Sequence, residues 1–182
     1  SDHGPPHYSR SDHPAPACKL PFMQFRVACA QFAPMKAETG RNLDTIADIT
    51  RQASGEGADL VLFPETSTAG YFLEGGVLEA SLTKEKLAYE LWGRLKDGLD
   101  RPIDMALGFY EIADGILYNS AAYLEFTPDG VRINGVYRKI FLPTYGVFDE
   151  ERFVSRGRDL AIIETRFGRL ALLICEDFWH SV

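Results

Sequence analysis

Three side chains of unlike chemistry stand at the ends or edges of apolar runs in this chain. Cys175 follows Leu170-Ala-Leu-Leu-Ile174 and is followed at once by Glu176 and Asp177. A thiol delivered at the end of a buried strand, beside charge, suits a nucleophile. The plainer reading is a core thiol that packs as a small hydrophobe. Glu65 closes a second apolar run, Asp59-Leu-Val-Leu-Phe-Pro-Glu65, and Lys139 lies in Val136-Tyr-Arg-Lys-Ile-Phe-Leu-Pro143. A carboxylate, an ammonium and a thiol form one chemical unit. The carboxylate serves as general base, the ammonium stabilises an oxyanion, and the thiolate attacks a carbonyl or nitrile carbon. Singly, Glu65 and Lys139 also read as ordinary surface ion-pair residues.

Glu65, Lys139 and Cys175, in that chain order and each in its local context, resemble the triad of the nitrilase, or carbon–nitrogen hydrolase, superfamily. The resemblance runs from about Phe25 to the last residue. Within the superfamily, Tyr145-Gly-Val-Phe-Asp-Glu-Glu-Arg-Phe153 and Cys175-Glu-Asp-Phe-Trp179 look most like the glutaminase domains of glutamine-dependent NAD synthetases and their stand-alone amidase relatives. In that subgroup one tyrosine lies six residues after the glutamate and another six after the lysine. Tyr71 and Tyr145 occupy those positions here. The resemblance implies hydrolysis of a linear amide to acid and ammonia through a cysteine thioester, with no metal or organic cofactor. A glutaminase module feeding ammonia to a synthetase is the alternative, and a non-catalytic fragment or subunit is another.

The superfamily also places a second glutamate between the lysine and the cysteine. Asp149, Glu150 and Glu151 compete for that role, and Glu150 is favoured as a carboxylate that orients the lysine or a water. Tyr71 and Tyr145 either line the substrate pocket or pack at its rim. Glu176 and Asp177 either set the pocket's charge or pair with Arg138 or Arg169.

Composition excludes several other functions. The 182 residues carry a net charge of −7, against the basic patch expected of a nucleic-acid binder. The cluster Arg152, Arg156 and Arg158 is interrupted by Glu151 and Asp159 and reads as solvated surface. No window approaches the roughly 18 apolar residues of a membrane span, and no apolar signal segment opens the chain. Cys18, Cys29 and Cys175 suggest no disulfide framework, so a reducing cytoplasm is expected. Their spacing makes no zinc site, and Cys29 reads as inert core. Residues 1–24, with His3, His7 and His13 and five prolines, read as a disordered tail, and Met23 as an alternative start.

The elements that must position the three groups follow from periodicity. Phe25–Gln31 reads as a strand and Gly40–Ala53 as a helix, capped near Thr39 and stopped at Gly55-Glu-Gly57. Asp59–Phe63 is a strand. Thr83 caps a helix through Leu95 with Leu87, Leu91 and Leu95 as its apolar stripe and Trp92 packed beside it. Ile103–Ile112, Leu117–Phe126 and Val131–Ile140 are strands, with a turn at Thr127-Pro-Asp-Gly130. A long polar loop spans 143–158, and Leu160–Thr165 with Arg169–Ile174 forms a hairpin. This pattern is an α/β domain with helices on a mixed sheet. The resemblance adds the nitrilase-like α-β-β-α sandwich, with residues 25–182 as its N-terminal part. The chain stops at Val182, soon after Cys175, where family members continue. The fold is therefore expected to be incomplete at the C-terminus, and the chain to be unstable or inactive unless a longer product or second chain supplies the remainder. The resemblance also implies a homo-oligomer, a dimer or larger, acting on a small-molecule amide.

Overall fold

The computed structural model describes residues 24–71, 74–146 and 148–180. The expected disordered tail and the start at Met23 fall outside these residues, save for Gln24. Strand β1 (Val27–Cys29) leads through helix α1 (Thr39–Gly55) to β2 (Leu60–Leu62). Helices α2 (Val77–Ala80) and α3 (Lys84–Leu95) then precede β3 (Ile103–Ala113). Strands β4 (Ile116–Thr127) and β5 (Gly130–Arg138) complete a five-stranded sheet of order β1-β2-β3-β4-β5. Its first three strands are parallel, as helical crossovers require, and its last three run antiparallel through tight turns. Strands β6 (Ile162–Thr165) and β7 (Gly168–Ala171) form a separate two-stranded sheet. The mixed sheet and its helices are as the periodicity indicates; α2 is not anticipated.

Alternation along β3 sorts the two faces of the sheet. Ile103, Met105, Leu107 and Phe109 join Ala122, Leu124 and Phe126 of β4 beneath α1 and α3. Leu87, Leu91 and Leu95 of α3 are fully buried there, each stabilising the fold by about 1.5–3 kcal/mol. Thr83 caps α3, its hydroxyl accepting from the Lys86 N–H at 3.1 Å. Trp92 packs half-buried against this core. Helix α1 has no side-chain cap; Thr39 is already helical, and Glu38 holds the cap position. Its stripe contains Thr50, fully buried, whose hydroxyl donates to the Ile46 carbonyl at 2.7 Å.

The opposite face receives the β6–β7 hairpin. Leu60, Ala106 and Tyr123 meet Ile163, with Phe167, Leu170 and Leu172 beside them. A bulge in β5 makes this packing possible. Ala122 pairs with Val136 but Leu124 pairs with Ile133, so β5 spends an extra residue at Asn134. Val136, Ile133 and Val131 thereby all remain on the helix face. Asn134 Nδ2 reaches across to the Glu164 carbonyl at 2.6 Å. Gly135 has no side chain where Ile163 inserts: a β-carbon would lie 2.9 Å from Ile163 Cδ1. Arg166 pins the hairpin turn to buried Asp104 at 3.1 Å.

Two expectations of burial need correcting. Cys29 is exposed, because β1 is the sheet's edge and only Ala28 of that strand packs on the core. The run Leu170–Ile174 is not a fully buried strand. The β7 ladder ends at Ala171, and Leu172–Ile174 continues without strand pairing. Leu170, Leu172 and Ile174 turn inward, while Ala171 and Leu173 are exposed, since the described residues cover only one side.

One close backbone approach lies under the turn that follows β2. A β-carbon on Gly108 of β3 would fall 2.5 Å from Thr66 N, 2.6 Å from Glu65 Cα and 2.7 Å from the Pro64 carbonyl oxygen. These are backbone atoms, so Gly108→Ala is expected to cost about 1–3 kcal/mol by overpacking. Gly93, in α3, has nothing within 4 Å of a β-carbon, so Gly93→Ala is expected to stabilise by roughly 0.5–1 kcal/mol. Urea denaturation of both variants checks the contrast; equal effects would contradict the packing.

Candidate active site

Four of the chemistry-bearing residues are brought to one end of the five-stranded sheet by four different devices. Glu65 rides on the turn after β2. That turn is held by its own hydrogen bonds, Ala69 and Gly70 N–H to the Thr66 carbonyl at 3.0 and 2.8 Å, with Thr66 in the left-handed region at φ 50°. Asn42 of α1, buried, clamps it from behind: its Nδ2 donates to the Thr68 carbonyl at 3.1 Å and to the Met35 carbonyl at 2.7 Å. Lys139 is the first residue past the β5 ladder, its N–H donating to the Asn119 carbonyl at 2.9 Å. Its own carbonyl accepts from Gly157 at 2.8 Å, and a β-carbon on Gly157 would collide with the Arg138 carbonyl. Glu150 opens a short 3-10 turn, Glu150–Arg152, in the loop expected to be polar. Cys175 opens another, Cys175–Trp179, at φ 47°.

Lys139 is fully buried, and its charge is met on two sides. Nζ lies 2.7 Å from Glu65 Oε1 and 2.8 Å from Glu150 Oε2. Burial alone would pull the ammonium down, but the carboxylates of Glu65 and Glu150 outweigh it and hold the lysine above its ordinary value. Of the three competing acids, Glu150 is the buried one that meets Lys139. Asp149 pairs with Arg152 and Glu151 with Arg156.

Asn119 of β4 is a member of this cluster that no motif reading picked out. It is fully buried, and its Nδ2 donates to Glu65 Oε1 at 2.7 Å and also to Glu150 Oε1. Its Oδ1 is buried without a partner, as are the hydroxyls of Thr66 and Thr68. An unmet buried carbonyl costs about 1–3 kcal/mol, so the cluster keeps Asn119 against a stability penalty. Period-2 patterning places Asn119 on the site face with Tyr110, between Leu117 and Ala121, and an amide between apolar residues there is the signal that could have revealed it.

Cys175 stands beside Glu65 and Lys139. It is exposed as a residue, yet the atoms packed round its thiol still withdraw water from it. That desolvation pushes the thiol up, and the Glu65 carboxylate, which also accepts its hydrogen bond, pushes it further; Lys139 pulls down without prevailing. The backbone N–H of Glu176 lies close enough to favour the thiolate. The resting sulfur is therefore a neutral thiol with a base at hand. A cavity of about 380 Å³ opens between Glu65, Cys175 and the apolar residues Leu60, Ala106, Tyr123 and Leu172.

The aromatic residues frame the cluster unequally. The Tyr71 ring centroid lies 5.9 Å from Lys139 Nζ. Burial, reinforced by Glu150 and Glu65, raises the Tyr71 hydroxyl far above its usual value, so it stays protonated. Phe148 packs edge-on between Tyr71 and Tyr145, with centroids 6.2 and 5.8 Å away. Tyr145 is exposed and donates to Glu176 Oε2 at 2.9 Å. That bond raises the tyrosine and, with His180, lowers the glutamate.

Asp177 departs from both readings made of it. It pairs with neither Arg138, which binds Glu111, nor Arg169, which binds Glu164. It is buried, and it accepts the Tyr137 hydroxyl at 2.8 Å and the N–H groups of Ile140, Phe141 and Ile174 at 3.1, 2.9 and 3.1 Å. One carboxylate thus ties the segment bearing Lys139 to the turn bearing Cys175. Among the described residues no cluster of His, Cys, Asp and Glu is arranged to hold a metal ion, and no helix is long and apolar enough to cross a membrane.

Comparison with known proteins bears on the family and the fold. The family model for carbon-nitrogen hydrolase matches residues 26–181. A glutamine-dependent NAD(+) synthetase of Acinetobacter baylyi is 37% identical over 157 residues, which is 85% of this chain and 27% of that protein. A probable nitrilase of Schizosaccharomyces pombe is 32% identical over 162 residues, 85% of this chain and 56% of that protein. The solved structure of glutamine-dependent NAD+ synthetase from Acinetobacter baumannii superposes with a TM-score of 0.70 at 35% identity, covering 85% of this chain and 28% of that one. The nitrilase-like α/β fold expected from the motifs is the fold these structures share. The chain spans between about a quarter and just over half the length of these relatives.

Two measurements follow from the geometry. Removing the Glu65 charge leaves desolvation as the main influence opposing Lys139 at the thiol, so in Glu65→Gln the thiolate absorbance of Cys175 is expected at lower pH than in the wild type; an unmoved or higher titration would contradict the assigned causes. Asp177→Ala strips four hydrogen bonds from a buried carboxylate site. It is expected to lower unfolding free energy by about 3–5 kcal/mol, read by chemical denaturation.

Proposed function

The chain belongs to the carbon–nitrogen hydrolase family, and on that premise we propose that it hydrolyses a small linear amide through a thioester on Cys175. The observation that carries this reading is the fully buried Lys139, held between Glu65 and Glu150 with the Cys175 thiol at Glu65. A lysine has three N–H donors, and two are spent on the carboxylates. The third is left for an oxyanion.

In the proposed reaction Glu65 takes the Cys175 proton as sulfur attacks the amide carbon. A C–S bond forms and the carbonyl electrons move to oxygen. Lys139 and the Glu176 backbone N–H stabilise the resulting oxyanion. Collapse breaks the C–N bond, and protonated Glu65 gives its proton to the departing nitrogen, which leaves as ammonia. Water then loses a proton to Glu65 and attacks the thioester; the C–S bond breaks, the acid departs, and the thiol is restored. Glu150 fixes the lysine. Tyr71, and Tyr145 through Glu176, flank the approach and would meet the polar end of the substrate.

A second reading is favoured by the likeness to the glutamine-dependent NAD(+) synthetase of Acinetobacter baylyi: a glutaminase that supplies ammonia to a synthetase. It uses the same four groups and differs only in substrate and in what consumes the ammonia. A panel of amides that includes L-glutamine separates the two. Intact-mass spectrometry is expected to show an acyl adduct or released acid with the wild type and none with Cys175→Ala. Preference for glutamine by tenfold or more favours the second reading, and preference for another amide the first. A folded wild-type chain that forms no adduct and no acid would overturn both in favour of a non-catalytic piece.

A further inference from the structure

Glu65, Lys139 and Glu150 are closed into a ring by Asn119. Asn119 Nδ2 and Lys139 Nζ both donate to the same oxygen, Glu65 Oε1, each at 2.7 Å. The two acceptor positions of that oxygen are then taken. On Glu150 the donors are divided: Lys139 takes Oε2 and Asn119 takes Oε1. The amide can sit only one way round. Reversed, its carbonyl would face two carboxylates; as it stands, both N–H groups meet anions and Oδ1 is left buried and unpartnered. A side chain placed for packing alone has no reason to accept that arrangement.

We propose that Asn119 is a positioning residue that divides the two oxygens of Glu65 between tasks: Oε1 is bound to Asn119 and Lys139, and Oε2 receives the Cys175 proton. The proposal rests on the reading of Glu65 as general base. Two fixed donors on Oε1 stop the carboxylate from rotating, so the accepting oxygen always faces the thiol. Hydrogen-bond donors favour the charged form of a carboxylate, so the effect of removing them is what a pH profile reads. The backbone of Asn119 serves the same end, since its carbonyl receives the Lys139 N–H at 2.9 Å. One β4 residue therefore sets both ends of the Glu65–Lys139 pair.

The titratable groups that face Glu65 are Lys139, Glu150, Cys175, Tyr71 and Tyr110. Lys139 is held above its ordinary value, as are both tyrosines, so none of the three changes charge between pH 4 and pH 8. A rise in thiol reactivity in that range reports a carboxylate. Alkylation by iodoacetamide, followed as a function of pH by the mass of the proteolytic peptide that carries Cys175, needs no knowledge of the substrate and is separate from alkylation of exposed Cys29. The wild type is expected to show two rises: a lower one as Glu65 becomes able to accept the thiol proton, and an upper one as the thiol ionises unaided. Glu65→Gln should keep only the upper rise.

Asn119→Leu removes both donors at similar volume, and Asn119→Ser keeps one hydroxyl donor. The lower rise is expected to move up by about one pH unit in Asn119→Leu and by less in Asn119→Ser. A lower rise that stays in place while the thermal midpoint falls would make Asn119 structural and overturn the proposal. Should Asn119→Leu fail to fold, Asn119→Ser decides by the same criterion. A lower rise that survives in Glu65→Gln would overturn the base assignment itself; one that vanishes there but stands still in both Asn119 variants overturns only the role of Asn119.

Discussion

Everything around the site answers to one constraint: an ammonium with no access to water. Transfer of such a charge out of solvent costs several kcal/mol even after relaxation, and only close opposite charge with good hydrogen bonding returns it. Lys139 has that in Glu65 and Glu150, at 2.7 and 2.8 Å. Two carboxylates and one ammonium still leave an excess of negative charge, which the Asn119 amide dipole moderates. The elements nearby are arranged to make that cluster close. Gly108 lets the Glu65 backbone lie on β3, and Gly157 lets its loop lie on the Arg138 carbonyl. Asn42 holds the turn that carries Glu65.

The three groups named from motif context do meet, and the reason is physical rather than lexical. Each stands at an element end, where alternation or helical period fixes the direction of approach. The same patterning placed the strands β3, β4 and β5 within a residue or two. It fared worse where a face is covered by something remote in sequence. Cys29 and Ala171 look as apolar in context as their neighbours, but exposure depends on which layer lies opposite, and no local pattern records that. The bulge at Asn134 is visible only as a broken period, Val131, Ile133, Val136.

Residues that act by excluding or tying were the least legible. Gly108 and Gly157 matter for an atom they lack, and the atom they would strike comes from another segment of the chain. Asn119 reads as one of several polar residues in its strand until Glu65 and Glu150 are brought to it. Asp177 looks like half of an acidic pair next to Cys175, yet Glu176 faces Tyr145 at the exposed rim while Asp177 turns inward. Thr66 and Cys175 both take left-handed backbone without being glycine, at φ 50° and 47°. Such conformations cost roughly 1–3 kcal/mol and persist where surrounding structure over-determines them. Here they aim a carboxylate and a thiol toward the same lysine.

The position of Asp177 has a consequence for how the molecule breathes. Its two oxygens bind amides on both sides of the gap, Ile140 and Phe141 on one segment and Ile174 on the other. Neither segment can swing away without releasing the other's partner. Local opening is then a single cooperative event, and deuterium should enter those three amides at one common rate. The thiol and the ammonium are consequently lost or kept as a pair: fluctuations that expose the lysine to water also withdraw the nucleophile, so a half-assembled site with one group in place is scarcely populated.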